Sequence, residues 1–231
     1  MKYPQTPYTP FSPLDIAMAA ISNTAGADRR FIMVGANDGI YGDHLYKHTE
    51  SGAWQGILIE PQPDVFEELK KNLAGRAGLT FENLAIANEM ESLRLYCAPK
   101  QRREQEAHAS TVTSFDRKIV ARQLKMAPKD LDHIDVPCIS LTRLVEKHGY
   151  EGFSVLVIDC EGADYEVLAS LDYKRYAPLV VQFEHGHLTS KQITAATHLL
   201  AGHGYLINYG GHQHDTVAIH SASWKRLIGS I

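Results

Sequence analysis

The stretch Phe31-Ile-Met-Val-Gly-Ala-Asn-Asp-Gly39 decides the fold class of this chain. Four apolar residues before a glycine-rich turn predict a strand that is buried on both faces. Glycine at positions 35 and 39 permits backbone angles that are closed to other residues, and it leaves room for a ligand close to the main chain. We expect a helix from about Ile40 to His48, whose free amide groups would point at the same place. The turn alone is weak evidence for ligand binding.

A second strand, Gly56 to Glu60, strengthens the ligand-binding interpretation. It is an apolar run ending in an acid, about twenty residues after Gly39, the distance at which nucleotide-binding βαβ units place an acid that accepts hydrogen bonds from ribose hydroxyl groups. The spacing therefore predicts an adenosine-containing cofactor. The turn is not Gly-x-Gly-x-x-Gly, and Asp38 inside it would repel phosphate groups but suits a cationic or zwitterionic ligand. S-adenosylmethionine, with a sulfonium, an ammonium, a carboxylate and no phosphate, fits this description.

Four motifs together resemble the FkbM family of S-adenosylmethionine-dependent methyltransferases, over about residues 31 to 218. They are Gly35-Ala-Asn-Asp-Gly39, Ile59-Glu-Pro61 followed by Phe66, Leu69 and Asn72, Ile158-Asp-Cys-Glu-Gly-Ala-Asp164, and Phe183-Glu-His185. The resemblance implies the α/β, Rossmann-like fold of class I methyltransferases, a mostly parallel seven-stranded sheet with one late strand reversed and helices on both faces. Many class I methyltransferases carry an acid where Met33 stands, so Asp38 or Asp43 is expected to make the contact near the methionine part.

The residues expected to bind the cofactor come from the turn, the strand ends and the resemblance. By resemblance, Asn83 and Ala85 border the adenine ring at the end of a third strand, predicted from Leu79 to Ala87; both can equally be ordinary strand and turn residues. The full predicted set is Gly35, Ala36, Asn37, Asp38, Gly39, Asp43, Glu60, Pro61, Asn83, Ala85 and Asp159.

Two further strand ends carry the candidate catalytic residues. Asp159 and Glu161 follow a nearly continuous apolar run, and Glu184 and His185 follow the next one. Open α/β sheets bind ligands at the carboxyl ends of their strands, although an acid such as Asp159 can also cap a helix. His185 is the preferred general base because the pKa of histidine lies near neutrality, and the three acids are alternatives. The resemblance implies O-methylation of a hydroxyl group on a sugar, another glycan or a small natural-product acceptor.

A metal site is the competing interpretation of the histidines. The pairs His185-Gly-His187 and His212-Gln-His214 would each present two imidazoles on one side of a strand, beside Glu184 and Asp215. Neither pair lies within a clearly extended run. The sequence therefore favours His185 as a base, with no metal.

The composition suits one globular domain over residues 1–231, with an N-terminal helix and arm at 1–30. Residues 98–132 contain eight Lys and Arg against five Asp and Glu, and they are interpreted as an insertion that forms an acceptor lid. A solvated charged face is the alternative. Four side chains of the insertion are candidates for binding an anionic acceptor: Arg102, Arg103, Arg117 and Lys118.

Alternating patterns predict the remaining elements. These are helices from Ser12 to Ile21, Val65 to Leu73, Asp116 to Met126, Leu141 to His148 and Thr189 to Leu200, and strands at 91–97, 136–139, 153–158, 179–183, 205–209 and 216–219, the last two antiparallel.

The cysteine content and net charge of the whole chain indicate in which compartment it works and which kinds of partner it binds. Three dispersed cysteines without a Cys-x-x-Cys motif indicate a reducing compartment. No signal peptide or membrane span is predicted, so we expect a cytoplasmic protein. A formal charge of −4 gives no general attraction to nucleic acid or to an anionic membrane. Two other function classes stay open: an oxidoreductase that binds NAD or a nucleotide sugar, and a non-catalytic binding protein on the same fold.

Overall fold

The structure is a computed structural model that describes residues 12–40, 45–50, 52–88, 90–212 and 214–229. A seven-stranded sheet in the order β10-β11-β9-β8-β1-β2-β3 forms its centre. Only β11 runs against the other strands of this sheet, as predicted for the late strand. The strands of the described chain are β1 (Arg30–Val34), β2 (Gln55–Ile59), β3 (Leu79–Glu82), β4 (Ala85–Ile86), β5 (Ser92–Cys97), β6 (Thr113–Ser114), β7 (Asp132–Ile139), β8 (Val155–Ile158), β9 (Val180–Glu184), β10 (Tyr205–His212) and β11 (Asp215–His220).

Helices cover both faces of this sheet because the central strands are apolar on both sides. In β1, Ile32 and Val34 face one core with α7, α8 and α9, while Phe31 and Met33 face a second core with α1 and α3. This arrangement confirms the predicted fold class. The described helices are α1 (Pro13–Asn23), α2 (Tyr46–Thr49), α3 (Pro63–Asn72), α4 (Lys100–Gln105), α5 (Ala107–Thr111), α6 (Arg117–Gln123), α7 (Leu141–His148), α8 (Asp164–Ala169), α9 (Ser190–Gly202) and α10 (Ser221–Ile228), with a 3₁₀ turn at Pro128–Asp130.

The N-terminal helix begins with a capping box. Ser12 Oγ accepts a hydrogen bond from the Asp15 amide, and the Asp15 carboxylate accepts one from the Ser12 amide. Asp15 also pairs with Lys47 at 2.7 Å and His48 at 2.9 Å. Burial would raise the pKa of Asp15, but hydrogen bonds from Lys47 and His48 outweigh it and lower that pKa to about 2. The cap therefore also links α1 to the short helix α2.

A smaller four-stranded sheet, in the order β4-β7-β5-β6, lies beside the main one. The insertion at 98–132 supplies β6 and three helices, and it has an apolar cluster of its own that includes Ala109, Val120 and Leu124. Its predicted long helix is α6, which begins after Asp116, whose side chain accepts a hydrogen bond from the Lys118 amide at 2.7 Å.

Several predicted elements differ from the structure in extent, and four described helices were not predicted. Of the helix expected from Ile40 to His48, the described residues form only α2, Tyr46–Thr49, and residues 41–44 lie outside the described ranges. The Ile40 backbone amide donates to Asp38 Oδ1 at 2.9 Å, which forms a local turn at residues 38–40. The third strand, expected at 79–87, is split between β3 in the main sheet and β4 in the smaller one. The helices α4, α5, α8 and α10 were not predicted.

Candidate active site

A cavity lies at the carboxyl ends of β1, β2 and β8. One side is formed by the turn after β1 and the end of β2, a second by residues 159–163 after β8, and a third by β4, β5 and β6. Eight of the predicted site residues line this cavity: Gly35, Ala36, Asn37, Glu60, Pro61, Ala85, Asp159 and Glu161.

Other predicted site residues lie outside the cavity lining. Asp38, Gly39 and Asn83 do not line the cavity, and Asp43 falls outside the residues that the structure describes. Asn83 donates to the carbonyl oxygens of Glu60, at 2.8 Å, and Pro61, at 3.1 Å. It therefore holds the end of β2 in place.

Glu60 is the most buried acid that lines the cavity, with 5% of its surface exposed. Its Oε2 accepts a hydrogen bond from the Asn37 amide at 3.0 Å, and its Oε1 accepts one from the Gln62 amide at 2.9 Å. Burial raises the pKa of Glu60 to about 7, although both amide hydrogen bonds act to lower it. Each carboxylate oxygen has two acceptor positions, so each keeps one for a ligand hydroxyl group.

The glycines of the turn have a different role from the one expected. Gly35 has a φ of +81°, and a Cβ there would lie 1.8 Å from the carbonyl oxygen of Asp159. Gly39 has a φ of +76°, and a Cβ there would lie 2.7 Å from Leu69 Cδ1. Both positions require glycine because the protein packs against itself, and the interpretation that they make room for a ligand is corrected. Gly35 instead lets Asp159 approach the turn.

Asp38 belongs to the hydrogen-bond network of the turn. Its amide donates to Asn37 Oδ1 at 2.7 Å, and its carbonyl oxygen accepts from Asn72 Nδ2 at 2.9 Å. Asn37 itself has a φ of +50°, a conformation that asparagine tolerates better than most residues. These contacts shape the loop that presents the Asn37 amide to Glu60.

A group of acids lies at the ends of β8 and β9. Asp164 is fully buried, and its Oδ1 accepts a hydrogen bond from the Glu184 amide at 3.1 Å. Burial, together with the charge of Asp159, raises the pKa of Asp164 well above its usual value. Burial raises the pKa of Glu184 to about 9, with contributions from Asp159 and Glu161. The alternative that Asp159 caps a helix is wrong, because Ala163 is the N-cap of α8 and no side chain caps that helix.

The two histidines after β9 occupy different environments. His185 does not line the cavity; its Nδ1 lies 3.0 Å from Thr216 Oγ1, and its ring stacks on Tyr209 at 4.4 Å between centroids. Burial lowers the pKa of His185. His187 instead lies beside the acids, with its Nε2 3.2 Å from Glu161 Oε2.

The insertion contributes to the cavity in a way that the sequence did not indicate. Thr113, Ser114 and Phe115 line it, and Ser114 Oγ donates to the carbonyl oxygen of Glu161 at 2.8 Å. Residues missed by the sequence argument also include Gln62 and Leu84. Short strands such as β4 and β6, of two residues each, carry no periodic signal that reveals such contacts.

Three side chains proposed for binding an anionic acceptor are engaged within the protein. Arg102 pairs with Glu106 at 3.0 Å, and Arg103 pairs with Asp64 at 3.2 Å. Arg117 Nε donates to the carbonyl oxygen of Pro128 at 2.6 Å. These contacts favour a structural role for the three arginines.

The sequence of this region matches a known family. Residues 34–208 match the family model described as the methyltransferase FkbM domain. The chain belongs to the FkbM methyltransferase family. The match runs from the last residue of β1 to the middle of β10 and includes every described residue of the cavity lining except Met33. Members of this family are described as methyltransferases.

Solved structures similar to this chain are distant in sequence. FkbM methyltransferase from Methylobacillus flagellatus KT is 12% identical with a TM-score of 0.49, over 83% of this chain and 43% of that one. Precorrin-6y C5,15-methyltransferase from Geobacter metallireducens GS-15 is 10% identical with a TM-score of 0.42, over 88% and 86%. This chain thus aligns with less than half of the Methylobacillus protein. No curated protein matches the chain closely enough to count as a relative.

The residues that line the cavity fit an S-adenosylmethionine-type cofactor. Glu60, Asp159 and Glu161 supply carboxyl groups, and none of the described lining residues is Lys or Arg. Such a lining suits a sulfonium cation and offers no positive charge to a pyrophosphate. An apolar wall formed by Leu84, Ala85 and Ile86 is of the kind that accepts a flat base.

Among the helices of the described ranges, none is long and apolar enough to cross a membrane.

Proposed function

We propose that this protein transfers a methyl group from S-adenosylmethionine to a hydroxyl oxygen of a small-molecule or glycan acceptor. The observation that carries the proposal is the acid-lined cavity next to Glu60, which lies within the region matched by the FkbM family model. When bound, S-adenosylmethionine supplies a methyl group that its sulfonium has already activated. The chain has to hold the reacting groups in line, exclude water and remove the hydroxyl proton.

The side chains divide this work. Glu60 accepts hydrogen bonds from the ribose hydroxyl groups through its remaining acceptor positions, and the wall of Leu84, Ala85 and Ile86 packs against the adenine. The insertion closes the acceptor side through Thr113 to Phe115, so it contacts both substrates. This shared wall argues against a lid that acts on the acceptor alone.

Among the four candidate proton acceptors, Asp159 is better placed than His185. It lines the cavity, and its amide donates to the Val34 carbonyl oxygen at 2.9 Å, which fixes it beside the turn. His185, preferred on sequence grounds, lies against Thr216 and Tyr209 outside the lining. Asp159→Asn should therefore reduce turnover on the order of a hundredfold, and His185→Ala much less. The reverse ranking would return the role to His185.

Calorimetry and product analysis test the activity itself. S-adenosylmethionine should bind and NAD should not, because a pyrophosphate would meet three carboxyl groups. Incubation with a panel of hydroxylated acceptors should release S-adenosylhomocysteine. Tight NAD binding would favour the oxidoreductase alternative. Cofactor binding without any turnover across sugar and natural-product acceptors would favour a non-catalytic binding protein.

A further inference from the structure

We propose that Glu161, Glu184 and His187 form a binding site for a divalent cation at the edge of the cavity. One ligand atom from each of these side chains lies within 4.8 Å of the others. His187 Nε2 is 3.2 Å from Glu161 Oε2 and 3.7 Å from Glu184 Oε1. Two carboxylates and an imidazole at these distances need only small side-chain movements to share one ion.

The hydrogen bonds of Gln123 determine which way the imidazole faces. Its Nε2 donates to Glu161 Oε2 and lies 2.9 Å from His187 Nε2. An amide nitrogen has two hydrogens and no acceptor position, so with the Gln123 amide in this orientation His187 Nε2 presents its lone pair to it. His187 Nε2 and Glu161 Oε2 are then two acceptors facing each other at 3.2 Å. An arrangement of converging lone pairs is what a cation stabilises.

Unsatisfied polar atoms surround the same point. Glu184 Oε2, Gln123 Oε1 and His187 Nδ1 are buried without a hydrogen-bond partner in the described structure. The same is true of Oδ2 of the fully buried Asp164, whose Oδ1 accepts from the Glu184 amide. Buried polar atoms of this kind are rare in folded proteins, and an ion is one of the standard explanations. Rotation of the Gln123 amide would present Oε1 as a further oxygen ligand.

The backbone conformation and the packing around residues 161 and 162 hold the ligand side chains in place. Glu161 has a φ of +49°, in the left-handed region. The next residue, Gly162, has a φ of +94°, and a Cβ there would lie 2.5 Å from Ile119 Cδ1 on α6. The insertion therefore packs directly on the turn that carries Glu161, while Glu184 ends β9 and His187 follows it. The ligands come from separate elements that are held by packing.

The ligand set indicates the kind of ion. Carboxylates suit Mg²⁺ and Mn²⁺, and an imidazole adds affinity for first-row transition metals. Mn²⁺ and Zn²⁺ are therefore the expected ions. This set differs from the His-x-His pairs considered from the sequence, because His185 faces Thr216 and only His187 of that pair reaches the acids.

The position of the site gives it a role that rests on the proposed methyl transfer. Glu161 both lines the cavity and belongs to the cluster, so an ion there lies beside the reacting groups. A bound divalent ion lowers the pKa of an oxygen that it contacts and orients that oxygen. It would hold the acceptor hydroxyl group and assist the transfer of its proton to Asp159.

Metal titration of the full chain tests the site without reference to turnover. After treatment with EDTA and buffer exchange, the protein should bind one Mn²⁺ per chain, measured by loss of the free-ion signal in electron paramagnetic resonance, or one Zn²⁺ by calorimetry. His187→Ala and Glu161→Gln should each weaken binding by at least about tenfold. His198→Ala, an exposed position on α9, is the matched control and should bind as the wild-type chain does.

Circular dichroism must show that the variants are folded, and two variants are used so that one failure to fold leaves a test. Absence of binding by the wild-type chain would overturn the site, as would an affinity equal to that of the wild-type chain in both folded variants. S-adenosylmethionine is titrated separately into metal-free protein. If the cofactor fails to bind while Mn²⁺ binds, the proposed function is wrong and the ion site is supported. If the cofactor binds while Mn²⁺ does not, only the ion site is wrong.

Discussion

The carboxylate of Glu60 accepts a hydrogen bond from the backbone amide of Asn37, with 3.0 Å between Oε2 and the nitrogen. This bond joins the turn after β1 to the end of β2. Because the second oxygen is bound by the Gln62 amide, the carboxylate is held in one orientation before any ligand arrives. Preorganisation of this kind reduces the entropy lost on binding.

Replacement of Glu60 by alanine should weaken S-adenosylmethionine binding by about 1.5 to 3 kcal/mol, the usual range for a hydrogen bond to a charged group. Calorimetric titration of the purified protein measures this change. Glu67→Ala provides a control, because Glu67 is an exposed acid on α3 outside the cavity lining. Unchanged affinity in a folded Glu60→Ala protein would remove Glu60 from the site.

The same residue makes stability depend on pH in a predictable direction. The pKa of Glu60 rises from 4.5 to about 7 because the folded protein buries it. The folded state therefore holds a proton that the unfolded state releases between these values, and folding is favoured by this group below pH 4.5. That contribution is lost as the pH rises through about 7, and it amounts to about 3 kcal/mol.

Urea unfolding at pH 5 and pH 8 isolates the contribution of Glu60. The comparison uses Glu60→Gln, which cannot ionise, so other titrating groups cancel in the difference between the two proteins. The wild-type advantage over Glu60→Gln should be about 2.5 kcal/mol smaller at pH 8 than at pH 5, because a small part of the contribution is already lost at pH 5. The variant also loses one acceptor for the two backbone amides, but that cost is the same at both pH values. A difference that does not change with pH would show that Glu60 ionises normally in the fold.

The pattern of the central strands was enough to predict the main sheet and the position of Glu60 at the end of β2. Continuous apolar runs identify strands buried on both faces, and the distance from Gly39 to Glu60 is a local property of one βαβ unit. The reversed strand followed from the short link between β10 and β11, which permits only an antiparallel pairing. These inferences depend on residues close together in sequence.

Contacts between segments that are distant in sequence could not be predicted from such local patterns. Whether His185 or His187 reaches the acids depends on how the chain turns after β9, and two residues of a loop have no periodic pattern. Gln123, in the insertion, donates a hydrogen bond to Glu161, which follows β8. Asn83, between β3 and β4, donates one to the carbonyl oxygen of Glu60 at the end of β2. The purpose of the turn glycines was also misjudged, since a glycine needed for a ligand and one needed for packing have the same sequence signature.

Gly35 offers the sharpest test of the packing explanation. Gly35→Ala should destabilise the fold through two effects: the φ of +81°, which costs an alanine about 1 to 2 kcal/mol, and the contact of its Cβ with the Asp159 carbonyl oxygen at 1.8 Å. Overpacking adds about 1 to 3 kcal/mol in well-packed sites. Gly75→Ala separates the two effects, because Gly75 has a similar φ of +85° but no atom within 4 Å of the added Cβ.

Denaturant unfolding of both variants gives the comparison. Gly75→Ala should lose about 1 to 2 kcal/mol, from backbone strain alone, and should bind S-adenosylmethionine as the wild-type protein does. Gly35→Ala should lose about 3 kcal/mol or more, from both effects together. Its cofactor affinity should also fall, because Asp159 must move away from the turn to make room. If the two variants lose the same stability, the close approach of Asp159 to Gly35 contributes nothing, and the conformational freedom of glycine is the whole requirement at this position.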